Sequence, residues 1–196
     1  MSLIQHEAPE FAAEAVSPEG TIHFLKLTEY RGKYVVLFFY PLDFTFVCPT
    51  ELVAVSERIA EFHERGAEVL GVSVDSVYSH LAWRSLPRRE GGIGKITFPL
   101  ISDLDKQISR SYGVLLEQPS VALRGTFLID QQGIVRSVMV NDLPLGRNIE
   151  ETLRLLDALH QVDQYGDVCP ANWRTGEQTM KATHESLTAY TMRQAA

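Results

Sequence analysis

The sequence predicts an α/β domain with a central mixed β-sheet, helices on its flanks and a polar C-terminal tail. Three stretches carry that expectation. Tyr34 to Tyr40 is a wholly apolar run, short enough for a strand and without a polar face. Thr50 to Gly66 repeats apolar residues at helical spacing and leads into a second apolar run at Ala67 to Val74. Gly125 to Asp130 and Ile134 to Val140 flank Gln131-Gln132-Gly133, the clearest hairpin signal in the chain. Strand, helix and strand in that order make a βαβ unit with parallel strands and a right-handed crossover. The hairpin adds an antiparallel pair, so the sheet is mixed.

Taken in order, residues 1 to 20 are punctuated by Pro9, Pro18 and Gly20 and read as an N-terminal arm with a turn at Ser17-Pro18-Glu19-Gly20. Thr21 to Leu27 reads as a short edge strand, and Tyr34 to Tyr40 as an interior one. In the following helix Leu52, Val55, Ile59 and Phe62 share a face, and Gly66 supplies the C-terminal cap. Asp75-Ser76 offers caps for a helix reaching Trp83 to Leu86. Pro87 to Lys95 is basic and glycine-rich, an expected exposed loop. Phe98 to Ser102 resembles a short strand, and Lys106 to Tyr112 a short helix closed by Gly113. Asn148 then caps a long amphipathic helix marked by Ile149, Leu153, Leu156 and Leu159 and ending near Tyr165. Beyond Gly166, Trp173, Met180, Leu187 and Tyr190 are too scattered for a core of their own, so this tail is expected to pack on the domain or on a neighbouring subunit. The expected division is a domain over 1–160 and a tail segment over 161–196.

Composition narrows the function. A chain of 196 residues with 45% hydrophobic and 22% charged residues suits one soluble domain with a terminal extension. A formal net charge of −7 argues against a nucleic-acid partner, which needs a basic face. The first residues have no basic stretch followed by an apolar core, and no run reaches membrane-spanning length; the expectation is a cytoplasmic protein without a membrane partner. The two cysteines, Cys48 and Cys169, are too few for a disulfide framework and lack the spacing of a zinc site, so neither a metal nor another cofactor is expected.

Cys48 stands where the apolar strand and a short loop give way to a helix. Proline is favoured at the first helical position, where its missing N–H goes unnoticed, so Pro49 there makes Cys48 the expected N-cap. A sulfur beside unpaired N–H groups and the positive end of a helix dipole is favoured as thiolate. Disulfide exchange of the Cys-x-x-Cys kind is disfavoured, because Glu51 occupies the second cysteine's position. A cysteine hydrolase would want a histidine base, and none of the six histidines is placed beside Cys48 by its spacing. Peroxide reduction asks instead for a thiolate, donors for both oxygens and a second thiol to trap the sulfenic acid. Thr45 offers a hydroxyl from the preceding loop, and Arg124, at the edge of a strand, a guanidinium that stays cationic. Ionisation alone raises the reactive fraction by roughly thirtyfold, or about 2 kcal/mol, against enzymic accelerations of at least roughly 8 kcal/mol. The larger share must come from donors acting on the separating oxygens.

Pro41-x-x-x-Thr45-x-x-Cys48 resembles the active-site signature of the peroxiredoxins, and Phe38 to Glu51 is similar to their two-cysteine subgroup, which includes the peroxidase component of bacterial alkyl hydroperoxide reductase. Ser79-His80-Leu81-Ala82-Trp83, Leu123-Arg124-Gly125, Asn141 to Arg147 and Val168 to Trp173 resemble that subgroup's segments in the same order. The resemblance implies a thioredoxin-like fold and a peroxidase acting on hydrogen peroxide and small organic hydroperoxides. It implies Cys48 as the peroxidatic and Cys169 as the resolving cysteine, joined by a disulfide between subunits. It further implies that Thr45 and Arg124 hold the peroxide, that Pro41 shields the site, and that Glu51 and Arg147 form an ionic network positioning Arg124. The partners implied are a homodimer building a ring-shaped decamer and, as reductant, thioredoxin or a flavoprotein disulfide reductase. A holdase chaperone built on the same ring is the alternative from another class. Gly91-Gly92-Ile93-Gly94 resembles a motif linked to overoxidation, but its usual Tyr-Phe partner is Tyr190-Thr191 here, so intermediate sensitivity is expected.

Overall fold

The computed structural model describes residues 2–194 and divides into two compact units between Ile149 and Glu150. In chain order the first unit holds β1 (Ala12–Val16), β2 (Ile22–Lys26), β3 (Tyr34–Phe39), α1 (Cys48–Glu57), α2 (Ile59–Glu64), β4 (Ala67–Ser73) and α3 (Val77–Ser85). It continues with β5 (Leu100–Ser102), α4 (Gln107–Ser111), β6 (Leu115–Leu116), β7 (Val121–Ala122), β8 (Arg124–Ile129) and β9 (Val135–Asn141). α5 (Ile149–Tyr165) and α6 (His184–Gln194) complete the chain. Among the described residues no helix is long and apolar enough to cross a membrane.

Seven strands form one sheet in the order β2-β1-β5-β4-β3-β8-β9. β4 lies parallel to both β3 and β5, whereas β8 runs antiparallel to β3 and β9, and β1 antiparallel to β2 and β5. The expected mixed sheet is present, with the apolar run as an interior strand: all six β3 side chains are buried. Hydrophobic side chains on both of its faces hold it there, with Leu37, Phe39, Leu70, Val72 and Phe127 in one core cluster. Between β8 and β9 Gly133 takes φ +83°, which an L side chain resists, and Asp130 Oδ1 accepts from the amides of Gln132 and Ile134. β6 and β7 pair in a separate small ribbon that the sequence did not signal.

Several expectations are corrected. The N-terminal arm contains β1, a full strand between β2 and β5; its Ala12-Ala13-Glu14-Ala15 composition has little intrinsic strand preference, so pairing on both sides decides the outcome. The expected turn is present: Gly20 N donates to Ser17 O at 2.9 Å and Ser17 N to Thr21 O at 2.8 Å. The single helix over 50–66 is two, broken at Arg58 (φ −111°, ψ 13°). There Ser56 is tied to Thr97, whose amide donates to Ser56 Oγ at 3.1 Å and whose hydroxyl donates to Ser56 O at 3.2 Å. Pro87 to Lys95 is only partly an exposed loop, since Ile93 is buried and Gly91 O accepts from Trp83 Nε1 at 2.9 Å.

The second unit is more ordered than a polar tail suggests. Val168 and Met180 exchange backbone hydrogen bonds at 2.7 and 3.1 Å, and α6 follows. Trp173 is buried.

Candidate active site

α1 begins one residue earlier than expected. Val47 is the N-cap, Cys48 the first helical residue and Pro49 the second. The amides of Thr50 and Glu51 are both spent on Val47 O, at 3.0 and 3.2 Å, and proline has none. Among the described residues this leaves the amide of Cys48 itself as the free first-turn donor, fewer than the sequence suggested. The thiol is fully buried.

Arg124 opens β8 with its side chain buried. Its Nη1 lies 3.5 Å from Cys48 Sγ and 2.7 Å from Glu51 Oε2, while Nε donates to Leu143 O at 2.7 Å. Leu143 is within reach because Arg124 pairs with Asn141 across the β8–β9 ladder, which folds the next residues back over the strand start. Glu51, one helical turn beyond Cys48, is the hub of this arrangement. Its Oε1 accepts from the amide and Nε of Arg147 at 2.8 and 2.9 Å, and Oε2 from Arg147 Nη2 at 2.9 Å. Arg147 Nη1 donates to Gly125 O at 2.8 Å and Thr126 Oγ1 at 3.2 Å, and the guanidinium lies over the Phe38 ring, 3.2 Å from its centroid. A Cβ on Gly125 would come within 2.9 Å of Val114 Cγ1, so glycine keeps that carbonyl in place.

One carboxylate thus serves two buried guanidiniums, and the local charge is net positive beside the sulfur. Burial alone would raise the Glu51 carboxyl, but the hydrogen bonds and charge of Arg147 and the charge of Arg124 hold it below the usual glutamate value. Burial in turn lowers Arg147, and Glu51 opposes that shift. Chemically, a sulfur faced by a fixed cation is equipped to attack a peroxide and to have negative charge on the oxygens neutralised as their bond breaks.

The remaining expected residues fall in the same loop or far along the chain. Pro41 is buried. Thr45 donates its hydroxyl to Leu42 O at 2.9 Å, which pins the loop and leaves oxygen lone pairs for an incoming donor. Cys169 lies in the second unit with its thiol 3.7 Å from Ala158 O. Burial pushes that thiol up, opposed by the Arg154 charge and reinforced by Asp167.

The spacing in the sequence did not reveal His80. It is fully buried on α3, with Nδ1 2.8 Å from Asp43 Oδ2 and Nε2 donating to Ile101 O at 3.2 Å. Tyr40 donates to Asp43 Oδ1 at 2.9 Å, and Asp43 N to Asp75 Oδ2 at 2.8 Å. These bonds anchor the loop before Cys48 to the sheet and α3. The available signal was the position of His80 three residues before the core residue Trp83. Phe44 in this loop takes φ +53° and lies 5.8 Å from the Trp83 ring. Among the described residues no group of three or more His, Cys, Asp or Glu side chains could hold a metal ion.

The chain is similar to known proteins along most of its length. The family model described as AhpC/TSA family matches residues 4–138, and that described as C-terminal domain of 1-Cys peroxiredoxin matches 158–191. The chain is 54% identical over 183 residues to peroxiredoxin-2 of Bos taurus, covering 93% of this chain and 92% of that protein. It is 57% identical to the mitochondrial thioredoxin-dependent peroxide reductase of Drosophila melanogaster, over 87% of this chain and 72% of that one. Among solved structures, the reduced 2-Cys peroxiredoxin of Plasmodium vivax superposes with a TM-score of 0.96 at 48% identity, covering 98% of this chain and 100% of the other.

Proposed function

Since the chain belongs to the AhpC/TSA family and is a thiol-dependent peroxidase with the thioredoxin-like fold of the two-cysteine peroxiredoxins, we propose how its own residues divide the work. Cys48 attacks the outer oxygen of a peroxide as thiolate; the O–O bond breaks, the sulfur becomes a sulfenic acid, and the departing oxygen leaves as water or alcohol after taking a proton. The observation that carries this assignment is the Arg124 guanidinium, 3.5 Å from Sγ and held on its other sides by Glu51 and Leu143. Arg124 stabilises the charge on the separating oxygens, and Thr45 positions the substrate from the loop. Glu51 and Arg147 keep Arg124 in place, and Pro41 keeps water from the sulfur. Cys169 then condenses with the sulfenic acid, releasing water and forming the disulfide, which a dithiol reductant returns to two thiols.

The resolving cysteine comes from a second copy of the chain, in a homodimer that builds a decamer. Supporting that assembly, Phe44, Tyr78, Leu104, Val140 and Leu145 leave 44 to 73% of their surface exposed, apolar surface that a subunit contact would cover. Thioredoxin is the reductant, as the Drosophila relative's name says of that protein. A cycle that must return to free thiols fits the reducing cytoplasm. The peroxidase domain extends over 1–160, and 161–196 forms the resolving segment.

The test is non-reducing electrophoresis with intact mass after one equivalent of hydrogen peroxide. The expected result is a covalent dimer from the natural sequence, an oxidised monomer from Cys169→Ser and no prompt reaction from Cys48→Ser. Unreactive thiols in the natural sequence would sink the assignment.

A further inference from the structure

The second unit holds Cys169 in a seat that is fastened at both ends. On the N-terminal side, Val168 is paired with Met180 through two backbone hydrogen bonds. On the C-terminal side two α5 side chains reach across: Asp157 Oδ2 accepts from Thr175 Oγ1 at 2.7 Å, and Arg154 holds the turn itself. Arg154 Nη1 donates to Trp173 O at 2.9 Å, and Glu151 grips the rest of the guanidinium in a two-pronged ion pair, Nε to Oε2 at 2.6 Å and Nη2 to Oε1 at 2.7 Å. Between the fastenings, Trp173 N donates to Pro170 O at 3.2 Å, so Cys169 to Trp173 form one turn. The Cys169 thiol points at Ala158 O, four residues along α5 from Arg154 and therefore on the same helix face. A planar fork fixed by a carboxylate has little freedom left, so its bond to Trp173 O is well directed and charge-assisted.

A thiol half-buried against a carbonyl is a poor nucleophile. Burial pushes it toward the protonated form, and the Ala158 contact occupies its proton. The turn must leave α5 before Cys169 can reach a sulfenic acid. The Val168–Met180 bridge can serve as the hinge, whereas the Arg154 contact has to break.

We propose that Arg154 is a positioning residue of the resolving step: its guanidinium clamps the Cys169–Trp173 turn to α5 and so limits how often Cys169 becomes available. This rests on Cys169 being the resolving cysteine. The clamp lengthens the life of the Cys48 sulfenic acid and gives a second peroxide more opportunity to convert it to sulfinic acid.

The experiment begins with Cys169 alkylation by iodoacetamide across pH in a Cys48→Ser background, with Arg154 natural or replaced by Gln or Lys. Loss of a charge-assisted hydrogen bond should raise the plateau rate about tenfold in Arg154→Gln. The midpoint should move to higher pH, because the Arg154 charge favours the Cys169 thiolate. Arg154→Lys, which keeps the cation without the fork, should hold the midpoint but still raise the plateau. In the two-cysteine protein, the disulfide-forming phase after peroxide addition should accelerate relative to the sulfenic-acid phase in Arg154→Gln, with a lower sulfinic yield by mass. Glu151→Gln, which frees the guanidinium without deleting it, should give a smaller change of the same sign, and it serves if Arg154→Gln fails to fold. An unchanged or slower plateau and disulfide phase would overturn the clamp. A disulfide phase that persists in Cys169→Ser would instead overturn the resolving role of Cys169, so the two failures are distinct.

Discussion

Arg124 reaches the Cys48 sulfur with a guanidinium already committed to a carbonyl and a carboxylate, so its position does not depend on substrate. Preorganised donors of this kind are worth about 100-fold to 1000-fold in rate. Arg124→Gln should therefore slow sulfenic-acid formation by about 100-fold, measured by stopped flow at a pH where Cys48 is fully ionised, so that the loss cannot be ascribed to thiolate fraction. Glu51 carries a different burden. Glu51→Gln leaves Arg124 and Arg147 buried around a neutral amide, and removing one partner from a buried ionic group costs about 3 to 5 kcal/mol. The expected outcome is an unfolding free energy from urea titration lowered by that amount together with slower peroxide reduction; an unchanged free energy would mean that the guanidiniums find other acceptors.

At the scale of elements, legibility followed locality. β3, α3, α5 and the β8–β9 hairpin were readable because each announces itself within its own residues, in the apolar run, the Ser76 cap that accepts from Ser79 N, the 3.6-residue stripe and the Gly133 turn. β1 was not, because alanines acquire strand structure from the neighbours they pair with. Nor was the break at Arg58, which accompanies Ser56 bonding to Thr97 across a separation of 41 residues. At the site, Cys48 and its loop were legible from the motif, while the acceptor role of Leu143 and the burial of His80 were not, since each depends on a distant segment. The break divides α1 from α2 at an anchored point. Ser56→Ala should lower stability by about 1 kcal/mol at an unchanged denaturant slope, and hydrogen exchange should then spread from the first turn of α1 toward Glu57.

For the whole molecule, buried and half-buried acids of opposite tendency shape stability against pH. The Glu51 carboxyl is lowered in the fold, so its contribution is complete above the ordinary glutamate value of about 4.3 and is lost as pH falls below it. Asp75 and Asp103 are raised, chiefly by burial, so the fold favours their protonated forms and loses that advantage as pH rises above about 3.9. Urea titrations should show Glu51→Gln with a shallower acid loss than the natural sequence, and Asp103→Asn with a smaller decline as pH rises through its folded value. The ionic network also ties together distant stretches of chain: Glu51 meets Arg124 across 73 residues and Arg147 across 96. Contacts of such separation close late in folding, after the chain entropy of the intervening loops has been surrendered. A nascent or half-folded chain therefore carries Cys48 without its cation, as a thiol like any other. Peroxide reactivity emerges only when Arg147 is home, so it acts as a built-in signal that the first unit has closed.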